Sequence, residues 1–230
     1  MDFFTPEIVR QFASGIRMTV LLFAVAWTLS FSLALVLVVL RATEVRPVVW
    51  FVDAFVAFHR NVPLLVHVLF WYFAMPEVLP ETIRFWLYDH GAEFTLAAIA
   101  LGLGSSAYVS EDIRSGLRAI PQTQFEAARA LGCNFIQTMR FIIVPQALRI
   151  SLPPLVSRAL LLFKNTSVAM AIGVAELTYQ AREIETETFR TFIVFGTATL
   201  LYLVGTFLIM GLGAWLEGRS RPGGKAAHRA

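Results

Sequence analysis

Charged side chains interrupt two long apolar stretches of the sequence, where they could contact a polar solute or an ion. They are Asp53, Arg60, Arg158 and Lys164, with His67 as a polar neighbour. A charge at the centre of a bilayer costs about 2.5 to 3.5 kcal/mol on insertion scales, so such residues are candidates for a functional site. For Asp53 and Arg60 we favour a structural role, in which Asp53 pairs with a neighbour and Arg60 extends to the membrane surface. For Arg158 and Lys164 both roles stay open.

Catalytic and metal-binding patterns are missing from the sequence. The four histidines are scattered, and no Ser-His-Asp or Cys-His arrangement follows from spacing. The phosphate-binding loop needs G-x-x-x-x-G-K-[ST], and the nearest segment, Gly218 to Ala226, has Gly224 where lysine is required. The sequence therefore predicts a protein that is not an enzyme, with no metal and no cofactor. A single cysteine, Cys133, excludes an intrachain disulfide.

The composition is that of a membrane protein. Of the 230 residues, 57% are hydrophobic and 15% are charged, and the mean hydropathy is +0.66. A soluble domain has about 25% charged residues. We predict an all-α integral membrane protein with five transmembrane helices. These are Met18–Leu40, about Phe55–Met75 with a disturbance at Asn61–Pro63, Phe94–Ser110, a span over Ile150–Phe163 that continues at Val168–Leu177, and Phe192–Leu216.

The connecting segments are predicted with less regular structure. A short helix is expected from Pro6 and another over Val48–Phe58, whereas Met75–Glu93 and Thr178–Arg190 are expected to be loops. Within the third span, small residues recur at a spacing of four, which allows close approach of another helix. They are Ala98, Gly102 and Ser106. The first span and two of these residues, Ala98 and Gly102, are candidate faces for packing against a second subunit.

The segment 121–145 is polar and lies between apolar spans. Thr123 and Glu126 fit a capping box in which Thr123 begins a helix, with Pro121 just outside it. Gly132 then supplies the left-handed residue that ends such a helix, and we expect it to act as a hinge.

A second short helix follows in the same segment. Asn134 is expected to cap a helix over Phe135–Val144, and Pro145 is expected to end it. Helices of about two turns are marginal in water, so both must be held by the membrane domain or by a partner.

These residues carry a resemblance to a known family. The run Glu126–Ala128, followed by Gly132 and by VPQA at Val144–Ala147, resembles the EAA loop of the membrane subunits of ABC importers. AYVSEDIRSGL before it and LPPLVSRALLLFKNTS after it are similar to segments of the polar amino acid permeases. The resemblance extends from Gly15 to Trp215, and the three segments occur in the family's order.

The resemblance implies a type I ABC importer transmembrane domain. Its expected limits are an extracytoplasmic segment 1–16, a transmembrane domain 17–216 with a coupling loop at 120–148, and a basic cytoplasmic tail 217–230. In the family this loop docks into a groove on a separate ATPase and transmits its closure. The residues implied in coupling are Thr123, Phe125, Glu126, Ala127, Ala128 and Gly132. Two interpretations stay open for Phe125, which either enters the ATPase groove or packs on its own domain, and Glu126 either caps its helix or pairs with the ATPase.

The resemblance also implies partners and a substrate. The partners are an ABC ATPase subunit, a second permease subunit that is this chain or a related one, an extracytoplasmic solute-binding protein and the lipid bilayer, with no nucleic acid. The substrate is a polar amino acid. The segments FHRNVPLLVHVLFWYF and LTYQAREIETETFR are most similar to the glutamate/aspartate branch, with glutamine, histidine, arginine and cystine as alternatives.

Residues for the substrate path combine the polar groups at membrane depth with a segment, 164–167, that matches the family. They are Arg158, Lys164, Thr166, Ser167 and His67. An amino acid carries a carboxylate, which Arg158 could meet. The family's usual Lys-Asp-Thr-Ser has asparagine at position 165 here, which argues against a required charge at that position.

The distribution of basic residues predicts the orientation. With the coupling loop in the cytoplasm, eleven Lys and Arg residues lie inside and four outside, as the positive-inside rule requires. The N-terminus is then outside and the C-terminus is cytoplasmic. The resemblance implies a bacterial cell, with the chain in its inner membrane. A channel would not need the EAA loop, and a secondary carrier would show more spans and a paired repeat.

Overall fold

The computed structural model describes residues 3–220, which form nine helices and no strand. The all-helical architecture confirms the predicted fold class. The helices are α1 Pro6–Ala42, α2 Arg46–Asn61, α3 Leu64–Val78, α4 Glu81–Asp89, α5 Ala92–Arg118, α6 Gln122–Ala130, α7 Phe135–Ile172, α8 Leu177–Thr188 and α9 Thr191–Ser220.

Four of these helices, α1, α5, α7 and α9, are long and apolar enough to cross a membrane, and the bent pair of α2 and α3 gives a fifth span if it counts as one. Helix α1 begins where the Thr5 hydroxyl accepts a hydrogen bond from the amide of Ile8 (3.3 Å), with Pro6 in the first turn. The short helix predicted from Pro6 and the first predicted span therefore form one continuous helix.

The second predicted span is broken. Helix α2 contains the predicted Val48–Phe58 helix but ends at Asn61, and α3 leaves it at an angle of 111°. Val62 is extended, with ψ of 130°, because a residue before proline avoids the helical region, and Pro63 has no N–H to continue the ladder. The predicted second span, about Phe55–Met75, is therefore divided between two helices, and the predicted disturbance at Asn61–Pro63 is confirmed as a sharp bend.

Both segments predicted as loops contain a helix, α4 and α8. Helix α8 buries Leu177, Ala181 and Ile184, which recur at helical spacing. This face packs against Ile8 and Phe12 at the start of α1. The many polar residues of α8 occupy its other face, which is why composition alone suggested a loop.

Pro145 does not end a helix, which contradicts the prediction. The side chain of Asn134 caps α7 in a capping box with Gln137, as predicted for Asn134. The helix then continues to Ile172 through a widened turn at Met139–Ile143, in which the Val144 amide donates to the carbonyl of Met139. This wider turn comes directly before Pro145 and takes up the distortion that a proline causes in a helix.

The small residues of α5 lie against α1 within the same chain. Ala98 and Ser106 are buried, and a Cβ on Gly102 would come within 2.7 Å of the Leu29 side chain. The close approach is confirmed, but these residues are covered by α1. Ala98 and Gly102 are therefore not free to pack against a second subunit, which corrects that expectation.

The two ends of the bundle differ. One end holds the start of α1 with α8 and the start of α9, around Phe12 and Ile184. The other end holds α6, which packs on Ile120, Ile143 and Ala147. Most of the predicted tail, from residue 221 onward, lies outside the described residues.

Candidate functional site

Helix α6 begins differently from the prediction. Its first residue is Gln122, and its N-cap is Pro121, which offers no side-chain hydrogen bond. Thr123 is therefore already inside the helix, and no hydrogen bond joins it to Glu126. The predicted capping box at these two residues was wrong because the helix starts directly after the proline.

Gly132 ends α6 in the predicted left-handed conformation, with φ of 79°. The Gly132 amide donates to the Arg129 carbonyl (2.9 Å), and the Cys133 amide donates to the Ala128 carbonyl (3.1 Å). These two bonds form a Schellman motif. A Cβ at Gly132 would meet no atom within 4 Å, so the backbone conformation and not space is what restricts this position.

The side chains of α6 divide into two sets. Phe125 packs on the cluster of Ile143 and its neighbours, and Ala128 is buried, so both hold α6 on its own domain. For Phe125 this is the second of the two interpretations given above. Thr123, Glu126 and Ala127 are exposed.

An apolar surface next to α6 was missed by the sequence analysis. Leu131, Phe135 and Ile136 lie on both sides of the turn at Gly132 and are 81%, 74% and 72% exposed. We call these three residues the coupling face. Large exposed apolar side chains grouped in this way mark interaction sites. The sequence does contain a signal for this surface, because three bulky apolar residues flank a predicted turn inside an otherwise polar segment.

A cavity of about 230 Å³ lies between α2, α3, α5 and α7. We call it the central cavity. Pockets for drug-sized ligands begin at roughly 300 Å³, so this one suits a smaller molecule. The polar residues in its wall are His59, His67, Ser105, Tyr108, Arg158 and Asn165.

The structure brings only two of the predicted path residues together. Arg158 and His67 both line the central cavity. Lys164 is exposed outside it, and the hydroxyls of Thr166 and Ser167 donate to the carbonyls of Phe163 and Lys164 (2.7 and 2.8 Å). Asn165, which was not predicted as a path residue, lines the cavity instead.

Arg158 is held by two contacts. Its Nε donates to Oδ2 of Asp112 (2.7 Å), and its guanidinium carbon lies 4.7 Å from the centroid of the Tyr108 ring. The ion pair compensates the charge inside the bundle. Because Asp112 engages Nε, the terminal nitrogens of the guanidinium stay available to a ligand in the cavity.

His67 has an unused polar atom. The residue is 3% exposed, and its Nε2 has no hydrogen-bond partner among the described residues. A buried polar atom without a partner costs about 1 to 3 kcal/mol. The ring centroid of His59 lies 5.0 Å away at a steep angle, so two imidazoles share this wall of the cavity. The unused nitrogen is a candidate contact for a bound solute.

Asp53 pairs with a neighbour, as predicted. Its carboxylate contacts Arg41, and Arg41 also contacts Glu111 on α5. Arg60 is exposed, and its guanidinium carbon lies 5.3 Å from the Tyr108 ring centroid. Within residues 3–220, no three His, Cys, Asp or Glu residues are placed to hold a metal ion.

The sequence matches a known family over most of its length. Residues 39–222 match the family described as "Binding-protein-dependent transport system inner membrane component". The chain belongs to this family. It is an integral inner-membrane permease, and its EAA motif is a feature of ABC transporter permeases.

Several relatives of this permease have amino acids in their names. It is 32% identical over 202 residues to the glutamate/aspartate import permease protein GltJ of Escherichia coli, covering 86% of this chain and 82% of that protein. It is 35% identical over 196 residues to the probable glutamine ABC transporter permease protein GlnM of Bacillus subtilis, covering 85% and 87%.

Solved structures show the same fold. An amino acid ABC transporter crystallised with histidines aligns with a TM-score of 0.80 at 31% identity, covering 93% of this chain and 95% of that chain. The methionine ABC transporter MetNI aligns with a TM-score of 0.73 at 18% identity, covering 95% and 100%. The permease therefore has the transmembrane fold of type I ABC importers.

A buried carboxylate at the other end of the permease was also missed. Glu176 is fully buried, and its oxygens accept hydrogen bonds from the Thr178 and Tyr179 amides (both 2.9 Å) and from the Tyr202 hydroxyl (2.6 Å). Burial raises the pKa of the Glu176 carboxyl, and the hydrogen bonds act against this shift. Glu176 thus begins α8 and ties it to α9.

Proposed function

We propose that this permease is the membrane-spanning subunit of a binding-protein-dependent importer that moves a polar amino acid into a bacterial cell. ATP is hydrolysed by a separate subunit, and this chain is not an enzyme. The observation that carries the proposal is one continuous helix, α7, which begins at the exposed coupling face and carries Arg158 into the wall of the central cavity.

The length of α7 gives the coupling a physical route. Phe135 and Arg158 are 23 positions apart, which corresponds to about 35 Å along a helix. Helix α6 is fixed to the start of α7 by Phe125 and by the Gly132 turn. When the ATPase subunits close, they push the coupling face, and α7 carries this displacement to the cavity.

The coupling residues fall into two roles under this proposal. Thr123, Glu126 and Ala127 are exposed and contact the ATPase beside the coupling face. Phe125, Ala128 and Gly132 keep α6 on its own domain, and Gly132 sets the angle between α6 and α7.

The orientation and the partners complete the proposal. The end of the bundle that holds α6 faces the cytoplasm, in agreement with the excess of basic residues on that side. The N-terminal segment 1–16 then lies outside, the transmembrane domain spans 17–216, and the tail 217–230 is cytoplasmic. A second permease subunit, two ATPase subunits and an extracytoplasmic binding protein complete the transporter.

Glutamate or aspartate is the substrate we propose. The guanidinium of Arg158 offers a carboxylate charged hydrogen bonds inside a small cavity, and the His67 nitrogen and the Asn165 amide add neutral contacts. The name of the Escherichia coli relative supports this choice. Glutamine, histidine, arginine and cystine are the alternatives, because these contacts also fit the carboxylate that every amino acid carries.

Uptake of labelled glutamate by cells with and without the gene tests the proposal. We expect uptake to require the gene, to stop when ATP is depleted with the membrane potential held, and to be reduced by excess unlabelled aspartate. Uptake that persists without ATP would contradict the ABC mechanism. Unchanged glutamate uptake would contradict the substrate only, and the panel would then be repeated with the four alternatives.

Phe135→Ser is expected to weaken the complex with the ATPase by about tenfold or more. The Phe135 side chain is 74% exposed, so its removal has little effect on the stability of the isolated domain. An apolar anchor in an interface contributes about 2 kcal/mol or more to the free energy of binding. The measurement is ATPase recovered with the tagged permease in detergent. Phe192→Ser is the control, because Phe192 is also highly exposed but lies at the other end of the bundle. Equal loss in both variants would contradict a docking role for the coupling face.

A further inference from the structure

A long apolar groove of about 670 Å³ lies between α1, α7 and α9. We call it the lateral groove. An aromatic row on α1 lines one side, formed by Phe23, Trp27 and Phe31, which recur every four residues and therefore share one face of the helix. Among the described residues that line the groove, Arg149 on α7 is the only charged one. The groove is separate from the central cavity, because no described residue lines both.

The lateral groove is open to the outside of the bundle. Helix α9 forms one of its walls, and only 11% of the apolar span of α9 is buried inside the protein, whereas 56% of the span in α5 is buried. Leu212, which lines the groove from α9, is 63% exposed. Lipid chains are as apolar as leucine, so a groove of this kind can be filled by an acyl chain in a bilayer.

The length of the lateral groove matches one leaflet of a membrane. On α7 its lining extends from Pro145 to Ala159, a distance of fourteen positions or about 21 Å along a helix. Half of a hydrocarbon core about 30 Å thick is about 15 Å, so the groove covers the chains of one leaflet and reaches their headgroups. Its Pro145 end lies toward the coupling face, which in the orientation proposed above is the cytoplasmic side.

Close contacts fix the register of α7 against α9. A Cβ added to Gly213 would come within 2.5 Å of the Val156 side chain, and one added to Gly205 would come within 2.5 Å of Phe163. The two helices are therefore antiparallel. Arg149 lies seven positions before Val156, so it is level with the last described turn of α9, which follows Gly213 by the same distance.

Arg219, in this last turn of α9, brings a second positive charge to the same end of the groove. It lies seven positions after Leu212, so the two residues share a face of α9 within about 20°. Its guanidinium carbon is 4.0 Å from the Trp215 ring centroid, a contact that occupies its flat face and leaves the N–H groups at its edge available. Glu217 projects from the opposite side, because two positions correspond to about 200°. Within residues 3–220, no carboxylate pairs with Arg149 or Arg219.

We propose that the lateral groove binds one anionic phospholipid of the cytoplasmic leaflet. Arg149 and Arg219 hold its phosphate, and one acyl chain lies along the aromatic row of α1. Guanidinium groups form charged hydrogen bonds with phosphate oxygens, and basic pockets between transmembrane helices on the cytoplasmic side suit anionic head groups. Only the choice of leaflet depends on the proposed orientation, and the site is the same whatever the permease transports.

Retention of lipid by the purified transporter tests the site. The permease, assembled with its ATPase, is washed in neutral detergent and incubated with equal amounts of phosphatidylglycerol and phosphatidylcholine that carry identical acyl chains. After a second wash, the bound lipids are counted by mass spectrometry. We expect about one phosphatidylglycerol per permease chain, and at least about fivefold less phosphatidylcholine, because each basic residue strengthens binding to an anionic lipid about fivefold. Equal retention of the two lipids would overturn the proposal.

Two double variants test the headgroup contact. Arg149→Gln with Arg219→Gln should lower the retained phosphatidylglycerol about tenfold or more, since both cations are lost. The control is Arg46→Gln with Arg118→Gln, which removes the same charge from two exposed positions at the same end of the bundle but outside the groove. We expect the control to retain phosphatidylglycerol within about twofold. Equal losses in the two double variants would contradict a headgroup site at Arg149 and Arg219.

A larger side chain in the groove tests the acyl-chain contact. Leu212→Trp keeps both arginines but takes up space in the groove, so it should lower phosphatidylglycerol retention at least about threefold. Leu200→Trp is the control, because Leu200 lies on the same helix, is 64% exposed against 63% for Leu212, and does not line the groove. Retention by Leu212→Trp equal to that of the control would contradict the groove as the acyl-chain site.

A photoreactive side chain identifies what fills the groove. Leu212 is replaced by benzoyl-phenylalanine, and the washed transporter with its retained lipid is irradiated. We expect a permease chain whose mass has increased by that of one phosphatidylglycerol, and no such adduct when Leu200 is replaced in the same way. A crosslink from position 212 to a second permease subunit would show that a protein covers the groove and would overturn the lipid site.

Discussion

Gly132→Val is expected to abolish ATP-dependent uptake. Gly132 has φ of 79°, and a β-branched residue tolerates positive φ poorly, at a cost of about 1 to 3 kcal/mol. The backbone relieves this strain by leaving the Schellman motif, which changes the angle between α6 and α7. The coupling face is built across this turn, so its three apolar residues no longer form one surface. Uptake in cells and ATPase recovered with the permease measure the effect.

Gly91→Val is the matched control for this prediction. Gly91 has φ of 83° and, like Gly132, no atom within 4 Å of an added Cβ, so the backbone strain is comparable. It lies at the start of α5, between α4 and α5 and away from α6. We expect this variant to keep its ATPase and at least half of its uptake. Gly132→Asn should also retain uptake, because asparagine tolerates the left-handed region. Normal uptake by Gly132→Val, or an equal loss of uptake in both glycine variants, would contradict the hinge role of Gly132.

The membrane class and the long helices follow from the sequence because a bilayer imposes a simple length and polarity rule. The ends of the helices do not follow from this rule. Pro63 breaks a helix, whereas Pro145 is accommodated by a widened turn, and the same residue type thus has opposite outcomes. The conformation of the neighbouring backbone decides whether a proline ends the helix or is accommodated in it. The presence of a proline in the sequence does not reveal this conformation. The capping box at Thr123 failed for a related reason, since the N-cap is Pro121 and the helix therefore starts two residues earlier than predicted.

Part of the candidate site was accessible from helical geometry. Successive residues turn by about 100°, so positions seven apart share a face within about 20°, whereas positions six apart differ by about 120°. Arg158 and Asn165 are seven apart and both line the central cavity. Lys164 is six from Arg158 and points away. The packing of the helices decides which face of α7 lines the cavity. The Asp112–Arg158 ion pair and the contact between Tyr108 and Arg60 also depend on this packing, so the sequence does not reveal them.

Arg158→Gln is expected to lower uptake by more than tenfold. Two causes would produce this loss. The substitution removes a charged contact for the substrate carboxylate, and it leaves the Asp112 carboxylate without its partner. Measurement of uptake, together with the amount of folded permease in the membrane, gives the size of the effect. A single variant does not separate the causes.

Exchanging the two charges separates a substrate role from a structural one. The double variant Asp112→Arg with Arg158→Asp keeps an ion pair between α5 and α7 but places a carboxylate where the guanidinium lines the central cavity. Asp112→Asn, in contrast, leaves the guanidinium in the cavity wall and removes only its partner. If Arg158 binds the substrate carboxylate, the exchange stays inactive while Asp112→Asn keeps measurable uptake. If the ion pair alone matters, the exchange restores uptake to within about twofold, and the substrate role of Arg158 is wrong.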